Sequence, residues 1–218
     1  MGVPRGVDAG AVPSAASSRG RRRDPRTRQD ILSATRRILA RDGYDQVTVD
    51  AVAREAGVSR PTVYRRWPSK AHIVFDAAFQ ANASDDIFGR TGDFAADLSR
   101  FLRAVIEFWR EPVVYAATLG ILAERHRSPE LRIRAQQLLD EETQDRFTAL
   151  IGDGVRQGVV AADMDAESLY DTVIGSTFYA VYVRDLTGPA DIEAFVAHLC
   201  FLVTRGAADR EENRDDPG

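Results

Sequence analysis

The sequence predicts an all-α protein of about nine helices, and three observations carry that expectation. From residue 24 to about residue 206 apolar residues recur at three- and four-residue spacing, which lines one face of a helix. Prolines stand at Pro25, Pro61, Pro68, Pro112, Pro129 and Pro189, where a first helical turn can do without their backbone N–H. Capping residues, among them Asp24, Thr48, Ser59 and Asp165, stand next to several of these starts.

Composition bounds the rest. The 218 residues are 44% hydrophobic and 28% charged, ordinary usage for one large or two small soluble domains. No apolar run approaches the roughly 20 residues of a membrane-spanning helix, so no membrane partner is expected. The N-terminus lacks the apolar core of a secretory signal, which predicts a cytoplasmic protein. The single cysteine, Cys200, excludes an intramolecular disulfide and any multi-cysteine zinc site.

The net charge of -4 does not announce a nucleic-acid binder, yet it is an average over two unlike parts. Residues 1–80 carry 15 basic against 8 acidic residues, a net of +7; the remainder carries 14 against 25, a net of −11. Such asymmetry points to a basic region that meets a polyanion.

Residues 1–23 read as a disordered, Arg-rich arm, and 207–218 as a disordered acidic tail. The run Arg21-Arg22-Arg23 could follow phosphates or simply be solvated. A helix capped by Asp24 follows, with Ile31, Ala34, Thr35, Ile38 and Leu39 on one face and a stop at Arg41-Asp42-Gly43. Thr48 can cap a short helix with Val49, Val52, Ala53 and Ala56, its first turn carrying Asp50 to complement the helix dipole. Gly57 suits a tight turn, Val58 plugs the corner, and Ser59 caps a short polar helix that exposes Arg60, Thr62, Tyr64, Arg65 and Arg66. A short helix, a glycine turn and a basic helix make a helix-turn-helix, whose second helix enters the major groove of DNA. A fourth helix opens at Pro68-Ser69-Lys70.

The run Thr48–Lys70 resembles the DNA-binding signature of TetR/AcrR-type transcriptional regulators, in its Ala-Gly-Val-Ser turn, its Thr-Val-Tyr and its aromatic-x-x-Lys. The resemblance covers about 45 residues. It implies an all-α homodimer that binds double-stranded DNA at an operator, most often as a repressor, and is released by a small molecule in its C-terminal domain. Residues 24–70 would be the DNA-binding domain and 71–206 the ligand-binding and dimerisation domain.

Chemistry and position within the motif assign roles. Arg60 can fork onto guanine O6 and N7; Pro61 and Thr62 can meet a thymine methyl; Tyr64 lies one turn beyond Arg60 on the same face. Thr48, Ser59, Arg65, Arg66 and Lys70 are expected at phosphates. Trp67 reads as a core plug. A plain helical hairpin would leave the basic second helix unexplained.

The acidic part continues the helical pattern. Ala71–Ala83 extends the fourth helix, Gly89–Gly92 breaks it, and Phe94 to Trp109 makes a strong apolar face. Pro112 opens a helix through Leu122; Ser128-Pro129 opens another that fades near Gly158; Asp165 caps one to about Arg184; Pro189 opens the last. Between Leu169 and Val183 nearly every side is apolar or small, which predicts burial all round and so a two-fold interface through Leu169, Val173, Ser176, Ala180, Phe195, Leu199 and Leu202. Burial within one protomer is the competing reading. A pocket walled by Trp109, Tyr115, Thr118, Phe147, Phe178 and Tyr179 would suit an apolar or aromatic effector, although each residue also suits ordinary core. Arg103 and Glu107 read as a surface pair.

An enzyme is not expected: no HExxH, GxSxG or phosphate loop is present, and the Gly152-Asp153-Gly154 stretch follows no strand. His72, His126 and His198 are scattered, and His198 with Cys200 points to different helix faces, so neither metal nor cofactor is predicted. The remaining rival is a DNA-binding regulator with no small-molecule ligand, controlled by a partner protein or by abundance.

Overall fold

The computed structural model describes residues 25–79, 90–124, 126, 129 and 141–205. The expected arm, the Asp24 cap, the acidic tail, and the expected helical residues 80–83 and 130–140 lie outside the described residues.

Among the described residues the chain is all-helical: α1 (Pro25–Asp42), α2 (Val49–Glu55), α3 (Arg60–Tyr64), α4 (Lys70–Phe79), α5 (Phe94–Arg110), α6 (Pro112–Glu124), α7 (Glu141–Arg156), α8 (Ala166–Tyr182) and α9 (Pro189–Arg205). A short 3-10 turn, Tyr44–Gln46, links α1 to α2. Gly43 sits at φ 80, so the break after α1 falls where a residue without a side chain was expected to allow it. Asp93 and Asp165 cap α5 and α8, accepting from Ala96 N and from Glu167 and Ser168 N. At the start of α6, Glu111 accepts from Val114 N at 2.8 Å, so a carboxylate caps the helix that Pro112 opens.

Two apolar cores hold these helices. The first gathers Ile31, Leu39, Val52, Val63, Trp67 and Ile73 from α1 to α4, and it also takes Val113, Ala117 and Ile121 from α6. The packed unit therefore extends beyond residue 70. The second joins α5, α7, α8 and α9 through Leu98, Leu102, Ile106, Phe147, Val173 and Val196. Arg36 crosses from α1 to both sides of the joint, donating to Ala77 O at 2.7 Å and to Glu111 at 3.0 Å. Tyr44 lies against Gly120 of α6, where an added Cβ would overlap its ring.

Three expectations need correction. Arg103 does not pair with Glu107: it donates two bonds, of 2.8 and 2.7 Å, to Glu193 of α9, while Glu107 pairs with Arg110. A bidentate partner across the bundle fits the guanidinium fork better than a neighbour one turn away. Helix α8 is not buried all round: Tyr170, Val173, Thr177, Ala180 and Val181 face inward, and Gly175, Tyr179 and Val183 are exposed. Of the residues expected between two protomers, Val173, Ala180 and Leu199 are consumed by the chain's own core; Leu169, Ser176 and Phe195 are half-buried, and Leu202 is exposed. The large apolar side chains left exposed in this part are Tyr179 on α8, Val183 at its cap, and Phe201 and Leu202 on α9.

Candidate nucleic-acid interface

The geometry of residues 48–70 follows from local chemistry. Thr48 takes an extended backbone (φ −127, ψ 155), and its hydroxyl accepts from Ala51 N at 3.0 Å, which opens α2. At the other end Val58 N reaches Ala53 O at 2.9 Å and Gly57 N reaches Arg54 O at 3.2 Å. These two bonds make a Schellman closure, and Gly57 takes the left-handed φ of 65 that the closure requires. Val52 and Ala53 anchor α2 in the first core, and Val58 packs on its edge. Arg37 of α1 donates to Glu55 at 2.9 Å, and this bond holds the Glu55 carboxyl below the usual carboxylate range.

Ser59 occupies the cap position of α3, but its hydroxyl does not cap the backbone. It meets Thr62 Oγ1 at 2.8 Å instead, while its carbonyl accepts from Thr62 N at 2.9 Å. Pro61 has no N–H to offer at the second position, which leaves the side chain free to bond the Thr62 hydroxyl. Helix α3 is only five residues long, and the chain continues as a turn, with Arg66 and Trp67 N both donating to Val63 O. It is fixed from beneath. Val63 is wholly buried, and Trp67, nearly so, donates through Nε1 to Asp76 of α4 at 2.9 Å. Asp76 also accepts from Arg28 of α1 at 3.3 Å, so one buried carboxylate ties the foot of α3 to two supporting helices.

The expected DNA-facing residues fall into two groups. Thr48, Ser59, Arg60, Pro61, Tyr64 and Arg65 are exposed, with Arg60 and Tyr64 one turn apart on α3. Thr62, Arg66 and Lys70 are half-buried. The Lys70 ammonium rests 4.2 Å from the centre of the Tyr44 ring and 3.4 Å from Tyr44 O. Arg60 Nε forms an ion pair with Asp50 Oδ1 of α2. Sequence reasoning found Trp67 and missed Asp76 and Tyr44, whose contacts join residues on different helices and leave no local signal.

The residues expected to wall a pocket do not all converge. Trp109, Tyr115 and Phe178 do meet, around Tyr182, which the sequence reading overlooked. Trp109 is edge-on to Phe178 and Tyr182 at 5.7 and 5.9 Å, and Tyr182 stacks on Phe178 at 4.6 Å and on Tyr115 at 4.9 Å. Thr118 also lies buried beside Tyr182. Burial pushes the Tyr182 phenol up to about 12 against the opposing pull of a hydrogen bond with Thr118. Phe147 belongs to another group with Phe101 and Tyr170, and Tyr179 points outward at 54% exposure, so neither joins this cluster. The outward turn of Tyr179 has a plain cause: an all-round apolar α8 does not reveal which stripe turns inward, and Phe147, on α7, packs toward Phe101 of α5 instead.

A short basic helix, exposed on one face and locked on the other across a Schellman turn, is how a protein lays side chains in a DNA groove; the fold and site define a helix-turn-helix transcriptional regulator. Residues 31–77 match the family model of bacterial regulatory proteins, tetR family, and residues 89–199 match the tetracyclin repressor-like C-terminal domain. The chain belongs to the TetR family. It is 32% identical over 207 residues to the HTH-type transcriptional regulator YdeS of Bacillus subtilis, covering 87% of this chain and 94% of that one. It is 29% identical over 189 residues to the DNA-binding transcriptional repressor TetR of Mycobacteroides abscessus, covering 78% and 87%. Among solved structures it resembles the TetR family transcription regulator SCO0332 (28% identity, TM-score 0.65, 83% of this chain and 97% of that one). It shares the fold of Bacillus subtilis FadR, solved with stearoyl-CoA, at 19% identity and TM-score 0.62, covering 82% and 98%. These relatives are regulators and not enzymes. Among the described residues no helix is long and apolar enough to cross a membrane.

Proposed function

We propose that this protein is a cytoplasmic repressor that binds a pseudo-palindromic operator as a homodimer and is released by a small molecule in its helical bundle. The observation that carries the DNA reading is the exposed face of α3 with Arg60, Pro61 and Tyr64, and of its cap Arg65, set on the buried Val63 and Trp67. Arg60 reads guanine; Pro61 and Thr62 approach a thymine methyl; Tyr64 lies along the groove wall. Thr48, Ser59, Arg65, Arg66 and Lys70 hold the phosphates, Lys70 by leaving the Tyr44 ring. Changing Arg60 to Ala should cost about 1–3 kcal/mol on DNA selected by the protein and relax discrimination at one base pair per half-site. Equal weakening on every sequence would make Arg60 a phosphate contact.

Pairing of protomers is supported by the large apolar side chains of Tyr179 on α8, Val183 at its cap, and Phe201 and Leu202 on α9, each at least half exposed. A second copy presenting the same face would cover them and set two recognition helices about 34–36 Å apart, one turn of DNA. Sedimentation as a monomer at micromolar concentration would overturn this.

The rings of Trp109, Tyr115, Phe178 and Tyr182 favour an apolar or aromatic effector, and the FadR complex with stearoyl-CoA shows that this fold can hold an acyl ligand in a relative. One observation favours the rival without a ligand: these rings already fill one another's space at 4.6 to 5.9 Å. A thermal-shift screen of acyl and aromatic compounds separates the two. Stabilisation by a few degrees supports the sensor, and silence across the screen supports control by a partner or by abundance.

A further inference from the structure

We infer that Asp50 is a specificity-determining residue that presents the Arg60 guanidinium to a guanine without touching a base itself. The inference rests on the base-reading role proposed for Arg60. Asp50 is the second residue of α2, two beyond the Thr48 cap, and Arg60 is the first residue of α3. Their ion pair therefore bridges the two helices of the motif at exposed positions, while Val52 and Val63 of the same helices are buried.

Which nitrogen is engaged decides what the pair can do. A guanidinium is a rigid planar fork with Nε on one edge and two Nη groups at its end. With Nε facing the Asp50 carboxylate, the two Nη groups are left to meet guanine O6 and N7 side by side. The carboxylate also removes freedom from a long side chain that would otherwise have to be ordered when DNA binds.

Other uses for this contact are weak. The two side chains are 62% and 54% exposed, and an ion pair so wet contributes little to folding. An acidic group in the first turn of α2 suits the helix dipole, which accounts for a carboxylate at residue 50 but not for its hold on Arg60. Close to DNA the same charge repels phosphates, so Asp50 lowers affinity for DNA in general. A group that opposes general binding while aiming the base-reading arginine raises the ratio of specific to general affinity.

The test is selection of bound sequences from a random double-stranded DNA library by the full-length protein, by Asp50→Asn and by Arg60→Ala. Affinities for the selected DNA, its single-base variants and unselected DNA are then measured at one fixed salt concentration. The wild type is expected to require guanine at one position of the selected site, and Arg60→Ala to lose that requirement. Asp50→Asn should weaken the guanine preference by about fivefold or more, the low end of what one bidentate contact discriminates. At the same time its affinity for unselected DNA should hold or rise. If Asp50→Asn keeps the full preference while Arg60→Ala loses it, the role of Asp50 is overturned alone. If Arg60→Ala also keeps it, the base-reading assignment falls and the role of Asp50 with it. Should Asp50→Asn fail to fold, Asp50→Glu keeps the first-turn charge and misplaces the carboxylate by one methylene, and the same loss of preference is expected of it.

Discussion

Asp76 holds the foot of α3 from within the protein. Its buried carboxylate accepts from the Trp67 indole at 2.9 Å and from Arg28 at 3.3 Å. Replacing it with Ala would strand a buried indole N–H, at a cost of about 1–3 kcal/mol in urea denaturation. DNA affinity should fall as well, because the foot of α3 loses its tie to α4. Asp97 does comparable work in the bundle. Burial pushes its pKa up, but the N–H and hydroxyl of Thr91, the N–H of Gly92 and the nearby Arg100 outweigh that and hold it below the usual range. With the folded value below the unfolded one of about 3.9, its contribution is complete above that pH and is lost as pH falls through the folded value. An Asp97→Asn variant should therefore lose less stability than the wild type between about pH 5 and pH 2, followed by circular dichroism.

Helix α6 is the element on which both halves depend. Val113, Ala117 and Ile121 point into the first core, Val114 into the second, and Gly120 receives the Tyr44 ring that also faces Lys70. Gly120→Ala should cost about 1–3 kcal/mol through overpacking against an aromatic ring. Thermal unfolding reads that cost, and a parallel loss of DNA affinity is expected, since Tyr44 leads directly into α2. Local chemistry made the helix-turn-helix legible: Thr48, Gly57 and Pro61 each act within four residues of themselves. It could not reach Tyr44 and Gly120, which stand far apart in the chain, or the choice of Glu193 over Glu107 by Arg103. Those depend on how distant helices cross. The aromatic cluster lies between these cases. Trp109, Tyr115 and Phe178 were visible by type, whereas the inward turn of Tyr182 and the outward turn of Tyr179 follow only from packing.

At the scale of the molecule, the +7 and −11 parts of the sequence should favour approach to DNA with the N-terminal part leading. The same partition does not make two independent bodies. A chain ending at residue 89 would lack Val113, Ala117 and Ile121, and so the wall against which α1 and α4 pack. Burying each such side chain is worth about 1–3 kcal/mol, against about 5–15 kcal/mol for a whole domain. Such a fragment should show no cooperative melting transition and no measurable operator binding. Because α6 is common to both cores, their openings are linked. A compound that binds only the folded bundle should slow amide exchange in α1 to α3 as well as in α5 to α9, so the reading head would register occupancy as protection even where no atom of it has moved.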